Sequence, residues 1–202
     1  MPETLLFNNF KKYIQLTATE EEAIRSLVTR NKYEKGDMLS REGEVNRYTH
    51  FIIEGSVRVY YVDQEGQQHV VQLGIQDWWV SDYASFITQQ PAQLQVEALE
   101  PTETYSFSYD RLQDAYIQIP ALERFFRLLI QKAYASFQQR ILQSLSMDAT
   151  QRYESFRQQY PEMDRQIAQK HIASYLGMSA EFLSKVKKRI MQRDKSLRKR
   201  IS

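Results

Sequence analysis

The sequence predicts an α+β protein, with an antiparallel β-structure in its amino-terminal half and helices in its carboxy-terminal half. From about Tyr33 to Tyr109 the chain has short runs of β-branched and aromatic residues separated by turn signals, one of them at Asp63–Gly66. Short strands at this spacing are typical of a barrel or sandwich. From Pro120 onward, apolar residues recur every three or four positions, which is the period of a helix.

The elements of the first half follow in order along the chain. Residues 17–30 are predicted to form an amphipathic helix, because Thr17 or Thr19 can cap an acidic first turn that precedes an apolar stripe. Three strands come next. They are predicted at Thr49–Glu54, at Ser56–Val62 and, after the turn at Asp63–Gly66, from His69 to Leu73.

One long helix is predicted at residues 120–145, with Pro120 in its first turn. Its apolar stripe is too wide for one neighbouring domain to cover, so we expect it to face both its own β-structure and a second copy of itself. A core helix with only intramolecular contacts is the alternative. The expected dimer-interface residues are Leu122, Phe126, Leu129, Ala133, Phe137 and Ile141.

A shorter helix is predicted from Asp148, which forms a capping pair with Gln151, to about Tyr160, where Pro161 ends it. The pattern divides the chain into three parts. They are a sensor domain at residues 1–119, a dimerisation helix at residues 120–145 and a helical domain at residues 146–202.

Composition excludes several classes of function. The chain has no cysteine, which excludes disulfides and thiol-based redox sensing. Its three histidines are unpaired and it has no Gly-x-Ser-x-Gly elbow, so a cupin-type metalloenzyme and a serine hydrolase are both disfavoured. We therefore predict no catalytic residues, no metal and no cofactor. Neither a secretion signal nor a membrane span is recognisable, and the expected location is cytoplasmic.

Charge is distributed unevenly along the chain. Residues 165–202 carry a formal charge of +9, and the preceding 164 residues carry −7, although the whole chain has only +2. A strongly basic end suggests a polyanionic partner there, and a solubilising basic tail is the alternative.

The most specific motif lies at residues 169–188, which have the pattern of two helices crossing at a tight turn. Ala173 is small where the two backbones approach, Gly177 suits a left-handed turn residue, and Ser179 is a good N-cap for the second helix. Apolar residues fall where the wedge between the helices must be filled. They are Ile172, Leu176, Met178, Leu183 and Val186. The motif predicts a helix-turn-helix.

A second helix of this kind fits the major groove of DNA. Lys185 is expected to donate to guanine, and Glu181 to accept from a cytosine amino group unless it serves only as a favourable charge at the helix amino terminus. His171 is expected to face solvent or a phosphate. The predicted DNA-binding residues are Ser179, Ala180, Glu181, Ser184, Lys185, Lys187, Lys188, Arg189 and Lys170. The tail cations, for which contact with phosphate and simple solvation are both open, are Lys195, Arg198, Lys199 and Arg200.

Over residues 5–190 the chain resembles the CRP/FNR family of bacterial transcription regulators. The likeness depends on the order of the elements and on five landmarks. These are Lys35–Asp37, Glu42-Gly43, Phe51–Arg58, the helix at Ile167–Gly177 and the recognition segment at Ser179–Val186. The resemblance implies a jelly-roll β-barrel of the cyclic-nucleotide-binding type, a homodimer formed through the long helix, and a DNA site with two-fold symmetry.

Within the recognition segment, Glu181 and Lys185 match positions that read bases in the family, and Ser179 matches one that contacts phosphate. Ala180 departs from the pattern, because the family's usual arginine is missing there. The carboxy end also departs: residues 190–202 are too short and too charged for the family's β-hairpin wing, which leaves a helical extension or a basic arm.

The sensor region lacks the residues that the family uses to bind a cyclic phosphate. No lysine or arginine occurs between Arg58 and Arg111, although Ser81-Asp82 can stand in for the ribose-binding pair. Cyclic AMP is therefore not the expected effector. A set of side chains either lines a pocket for a flatter, less charged ligand or fills it. They are Trp78, Trp79, Ser81, Asp82, Tyr83 and Phe86.

The sequence thus predicts a DNA-binding transcription regulator that forms a homodimer on double-stranded DNA. The effector is unknown, no membrane is involved, and RNA polymerase stays open as a further partner. The alternative is a ligand-sensing protein whose basic carboxy-terminal helices bind a protein instead of DNA.

Overall fold

The computed structural model describes the backbone of residues 2–201 and the side chains of residues 3–193 and Ser196. Two helices, α1 (Pro2–Lys11) and α2 (Ala18–Leu27), precede the strands. Thr17 caps α2 in a capping box with Glu20, as the sequence predicts. The helix is shorter than predicted, because Val28 already begins a strand that pairs with Phe107.

Eight strands form two four-stranded antiparallel sheets. Their bounds are β1 (Val28–Tyr33), β2 (Met38–Ser40), β3 (Tyr48–Glu54), β4 (Ser56–Val62), β5 (Gln68–Ile75), β6 (Trp79–Val80), β7 (Gln95–Ala98) and β8 (Thr102–Ser108). The strand order is β1-β8-β3-β6 in the first sheet and β2-β7-β4-β5 in the second. A short helix, α3 (Tyr83–Thr88), connects β6 to β7. We call residues 28–108 the β-domain.

The predicted turns join these strands. Asp63 and Gly66 close the hairpin between β4 and β5, with the Gly66 amide donating to the Asp63 carbonyl over 3.0 Å. Gly55 connects β3 to β4 at a φ of +90°, and a Cβ there would lie 2.5 Å from the Pro101 carbonyl oxygen. Only glycine fits that position without a backbone shift.

The carboxy-terminal half is helical. Its helices are α4 (Tyr109–Gln118), α5 (Pro120–Ser146), α6 (Ala149–Gln159), α7 (Pro161–Gln166), α8 (Gln169–Tyr175) and α9 (Ala180–Ile201). Asp148 and Gln151 cap α6 as predicted. Pro161 does more than end that helix, because it is also the first residue of α7. We call residues 149–201 the helical module.

Three apolar clusters hold these elements together. Ile52, Val57, Val59, Val80 and Val96 fill the space between the two sheets. A larger, aromatic cluster lies between the first sheet and helices α1, α2, α4 and α5. The third cluster joins the second sheet to the helical module. None of the described helices combines the length and hydropathy that crossing a membrane requires.

Candidate functional site

Helices α8 and α9 are joined by the tight turn that the sequence predicts. Gly177 adopts a φ of +69°, and the Met178 amide reaches back to the Ala173 carbonyl at 3.0 Å. The Ser179 hydroxyl accepts from the Phe182 amide at 3.2 Å and so caps the start of α9. Turn and cap together fix the angle at which α9 leaves α8.

The inward face of this pair is apolar. Ile172 and Ala173 of α8 pack against Leu183, Val186 and Ile190 of α9, and all five are at least 99% buried. Leu176 and Met178 cover the edge of the same cluster. This packing turns the opposite side of α9 toward solvent.

Five exposed side chains of α9, as far along the helix as Arg189, form a surface that we call the outer face. They are Glu181, Phe182, Lys185, Lys188 and Arg189. Counted at about 100° per residue, Lys185 lies near the middle of this arc. Ala180 and Ser184, which were predicted to share it, are half-buried at its edge. The observed face is therefore turned toward Phe182, which was not among the predicted DNA-binding residues.

Two of the cations predicted to contact DNA lie away from the outer face. Lys187 points away from the outer face: its ammonium lies 3.4 Å from the Asp164 carboxylate and 5.1 Å from the centre of the Tyr153 ring. Lys170 is exposed but lies in the first turn of α8, beside the β-domain. The side chains of Lys195, Arg198, Lys199 and Arg200 lie outside the described residues.

Glu181 is held at the amino terminus of α9. Its own backbone N–H, followed by the Ser179 hydroxyl, lowers the pKa of its carboxyl group. The carboxylate is therefore charged at neutral pH, and part of its acceptor capacity is already used by the helix terminus.

His171 does not face solvent, contrary to the sequence analysis. It is buried between α8 and the second sheet, where its Nδ1 lies 3.4 Å from Nη1 of Arg58. Burial, with the nearby Arg58 charge, lowers the pKa of His171 to about 4. No local sequence pattern indicates this contact, because the two residues are 113 positions apart.

Ser174 of α8 also fastens the helical module to the β-domain. Its hydroxyl accepts from the Val70 amide and donates to the Gln68 carbonyl, each over 3.0 Å. Strand β5 lies at the edge of the second sheet, so this one side chain satisfies backbone groups that an edge strand leaves unpaired.

The six residues of the predicted effector pocket do not line one pocket. Trp79 is 6% exposed and lies in the aromatic cluster, with its ring centre 5.0 Å from that of Phe126. Its indole N–H donates to Asn9 of α1 at 3.0 Å. Trp78 points elsewhere and packs against Tyr160 of the helical module.

The polar members of that set are committed to internal structure. The Ser81 hydroxyl donates to the Tyr48 carbonyl, and the Asp82 carboxylate accepts from the amides of Ser85 and Leu94. Tyr83 and Phe86 contact each other edge to face and belong to the aromatic cluster. The alternative in which these side chains fill the space is the one that the structure supports.

Helix α5 is buried in its first turns and exposed further along. Leu122 and Phe126 are 0% and 2% exposed in the aromatic cluster of their own chain, so they cannot form a dimer interface, and Leu129 packs at its edge. Ala133, Phe137 and Ile141 are exposed as predicted.

The exposed apolar surface extends further toward the end of α5 than the predicted set. We call it the α5 stripe; it consists of Tyr134, Phe137, Ile141, Leu142 and Leu145. The opposite side of the helix, with Ser136, Arg140 and Gln143, faces Phe156 and Tyr175 of the chain's own helical module. The stripe is therefore left without a covering element among the described residues.

One protein-family model matches part of the first half of the chain. Residues 30–118 match the family model of the cyclic nucleotide-binding domain. This part of the chain has that domain's fold. A search of curated proteins found no significant match.

Solved structures resemble both the cyclic nucleotide-binding-type domain and the helices that follow it. The c-di-GMP-responsive global regulator CLP of Xanthomonas campestris aligns over 88% of this chain and 93% of its own, at 16% identity and a TM-score of 0.71. FixK2 of Bradyrhizobium japonicum aligns over 83% and 86%, at 19% identity and a TM-score of 0.71. The catabolite activator protein of Thermus thermophilus aligns over 89% and 85%, at 17% identity and a TM-score of 0.57. At these identities the likeness establishes the fold.

Proposed function

We propose that this chain is a transcription regulator of the CRP/FNR type, which binds double-stranded DNA through a helix-turn-helix formed by α8 and α9. The observation that carries the proposal is the outer face of α9. Lys185, Lys188 and Arg189 are exposed there on one side of a helix whose other side is anchored in the core. The fold shared with CLP and FixK2 supports the same function.

An exposed helix of this width enters the major groove with its amino-terminal residues leading. Lys185, at the centre of the outer face, is the residue best placed to donate to guanine O6 and N7. Lys188 and Arg189 lie one turn further along and suit phosphates, which position the protein without reading sequence. Glu181 and Ser179 begin the helix and complete the proposed contact surface.

Phe182 gives the outer face an apolar component. The thymine methyl group is the apolar feature that base pairs present in the major groove. Phe182 lies in the first turn of α9, next to Glu181 and three residues before Lys185. We therefore assign it a thymine contact within each half-site.

A homodimer completes the proposal. The α5 stripe supports it, because large apolar side chains lie on one side of a helix whose other side is occupied by the chain's own helical module. Two such helices side by side would bury both stripes and relate two copies of α9 by a two-fold axis. DNA half-sites would then lie about 34–36 Å apart, or at a multiple of that spacing.

Cyclic AMP does not fit as the effector. Among residues 59–110 there is no lysine or arginine to hold a cyclic phosphate. Arg58 is held by Glu97, with Nη2 2.6 Å from its carboxylate. Trp79 and its neighbours occupy the region where the sequence analysis placed a pocket.

Selection of bound fragments from random duplex DNA tests the function. We expect enrichment of an inverted repeat whose half-sites are centred about 10–10.5 base pairs apart or a multiple of that. Failure to enrich any sequence at low salt would refute the proposal. In that case the alternative, in which the outer face binds a protein, would take its place.

A further inference from the structure

A cleft of about 190 Å³ separates the β-domain from the helical module. Its walls include Lys35, Ser56, Arg58 and Glu97 of the β-domain, and Lys170 and His171 of α8. One water needs about 10–15 Å³ measured in the same way, so the cleft has room for a small molecule. Ligand sites occur preferentially at such boundaries between domains.

The β-domain holds its side of the cleft rigidly. The turn that carries Lys35 is fastened to the end of β7 by two backbone hydrogen bonds, from Gly36 to Ala98 and from Ala98 to Asp37, of 2.8 and 2.9 Å. Arg58 is 8% exposed, and its guanidinium lies 4.0 Å from the centre of the Tyr60 ring. Arg58 therefore starts from a fixed position, and the backbone that carries Lys35 is anchored to β7.

Cationic groups in the cleft retain unused binding capacity. Arg58 donates from Nε and Nη2 to Glu97 and lies against His171 through Nη1, which leaves two of its five N–H groups free. Lys35 and Lys170 form no ion pair within the part of the chain that the structure describes. Glu100, the other carboxylate of the cleft, accepts the Ser56 hydroxyl at 2.6 Å.

The field of the cleft lining is net positive, because three cations, Lys35, Arg58 and Lys170, stand against two carboxylates, Glu97 and Glu100. Burial is the main cause that lowers the pKa of His171; the three cations lower it further and Glu97 opposes them. A dianion placed in this field gains charge-assisted hydrogen bonds from Arg58 and both lysines. A neutral ligand of the same size would leave these charges without a partner.

We propose that the cleft binds a small dianion of the phosphorylated or dicarboxylate metabolite class, through Lys35, Arg58 and Lys170. Because Lys35 and Arg58 belong to the β-domain and Lys170 to the helical module, the ligand holds the two modules in the docked arrangement. Binding of the dianion does not depend on the proposed function. The effect of binding on DNA affinity rests on the proposed function, because there the ligand fixes the orientation of the DNA-binding helix α9.

Calorimetric titration of the full chain with glycerol 3-phosphate, and separately with succinate, tests the site at pH 7.5 and constant ionic strength. We expect saturable binding of one ligand per chain, and the preferred compound identifies the class. The double variant Lys35→Gln with Lys170→Gln should bind at least tenfold more weakly. Lys32→Gln, which removes one positive charge from an exposed lysine on the first sheet, should bind within twofold of the native chain.

A second readout locates the ligand. Ring resonances of His171 should move on saturation and its pKa should rise, whereas those of His50, buried within the β-domain, should stay in place. Absence of saturable binding by both compounds would overturn the proposal, and so would equal weakening in Lys32→Gln. Because no DNA is present, these results are independent of any failure to bind DNA.

Discussion

The α5 stripe predicts how strongly the chain associates with itself. Tyr134, Phe137, Ile141, Leu142 and Leu145 are between 44% and 80% exposed, which amounts to about three whole side chains per protomer. Full burial of such a side chain contributes about 1.5–3 kcal/mol. A dimer that buries both stripes therefore gains about 9–18 kcal/mol, against an association cost of about 4–15 kcal/mol.

Leu142→Glu tests this arithmetic at one position. Leu142 is 64% exposed in the single chain, so its burial contributes about 1–2 kcal/mol per protomer and about 2–4 kcal/mol per dimer. Its removal should raise the dimer dissociation constant roughly 30- to 700-fold, and two glutamates placed together should raise it further. Because the native residue is exposed in the single chain, the fold should be unaffected.

Sedimentation equilibrium measures both species directly. The native chain should be a dimer at micromolar concentration, and Leu142→Glu a folded monomer with an unchanged circular dichroism spectrum. Gln139→Glu adds the same charge on the side of α5 that faces the helical module, and it should remain a dimer. A monomeric native chain, or equal dissociation in both variants, would refute the assignment of the stripe.

Four further substitutions test other parts of the structure. Burial lowers the pKa of His50 to about 4 in the folded chain, whereas in the unfolded chain the pKa is near 6.5. The free energy of unfolding that comes from this difference is fully present above pH 6.5 and is lost as the pH falls toward 4. The share of His50 in the loss between pH 7.5 and 5 is about 2 kcal/mol, and urea titrations of His50→Gln should lack that share; an unchanged pH dependence would contradict the assignment. Lys185→Ala should reduce discrimination between the selected site and other duplexes by about 1–3 kcal/mol while most non-specific affinity is kept; equal weakening on all duplexes would show that Lys185 contacts phosphate. If Phe182 contacts a thymine methyl group, the native chain should bind the selected site more tightly than the same site with deoxyuridine in place of thymine. Phe182→Ala should bind these two duplexes equally well. Ser174→Ala should speed hydrogen exchange at the Val70 amide, since that amide loses its partner at a cost of about 1–3 kcal/mol; unchanged exchange would mean that the contact does not hold the modules together.

Local patterns in the sequence predicted local structure well. The capping pairs at Thr17 and Asp148, the hairpin turn at Asp63–Gly66 and the turn at Gly177 all form as expected. Each depends on a few neighbouring residues whose backbone preferences do not need the rest of the fold.

Contacts between distant parts of the chain were not predictable in the same way. Periodicity identifies the apolar side of α5 but cannot say which turns meet the chain's own core, so Leu122 and Phe126 were assigned to the wrong partner. Helix α1 was missed although Phe10 is fully buried in the aromatic cluster. Its placement depends on Trp79, which lies 69 positions later in the chain.

In the proposed DNA-binding site, too, local features were predictable and contacts between distant residues were not. The predicted apolar wedge orients α9 correctly, and Lys185 lies where the helix period places it. His171 and Lys187 were misplaced because their partners, Arg58 and Asp164, come from other elements. A buried polar contact between separate modules leaves no periodic signal in a single sequence.

Salt dependence of duplex binding tests the central claim most directly. Two exposed cations on each copy of α9, Lys188 and Arg189, are assigned to phosphates, so a dimer makes about four phosphate contacts. Fluorescence anisotropy with the selected duplex should therefore show a roughly hundredfold loss of affinity between 50 and 200 mM salt. An affinity that does not change with salt concentration, or no binding at 50 mM salt, would contradict a DNA-binding role for the outer face.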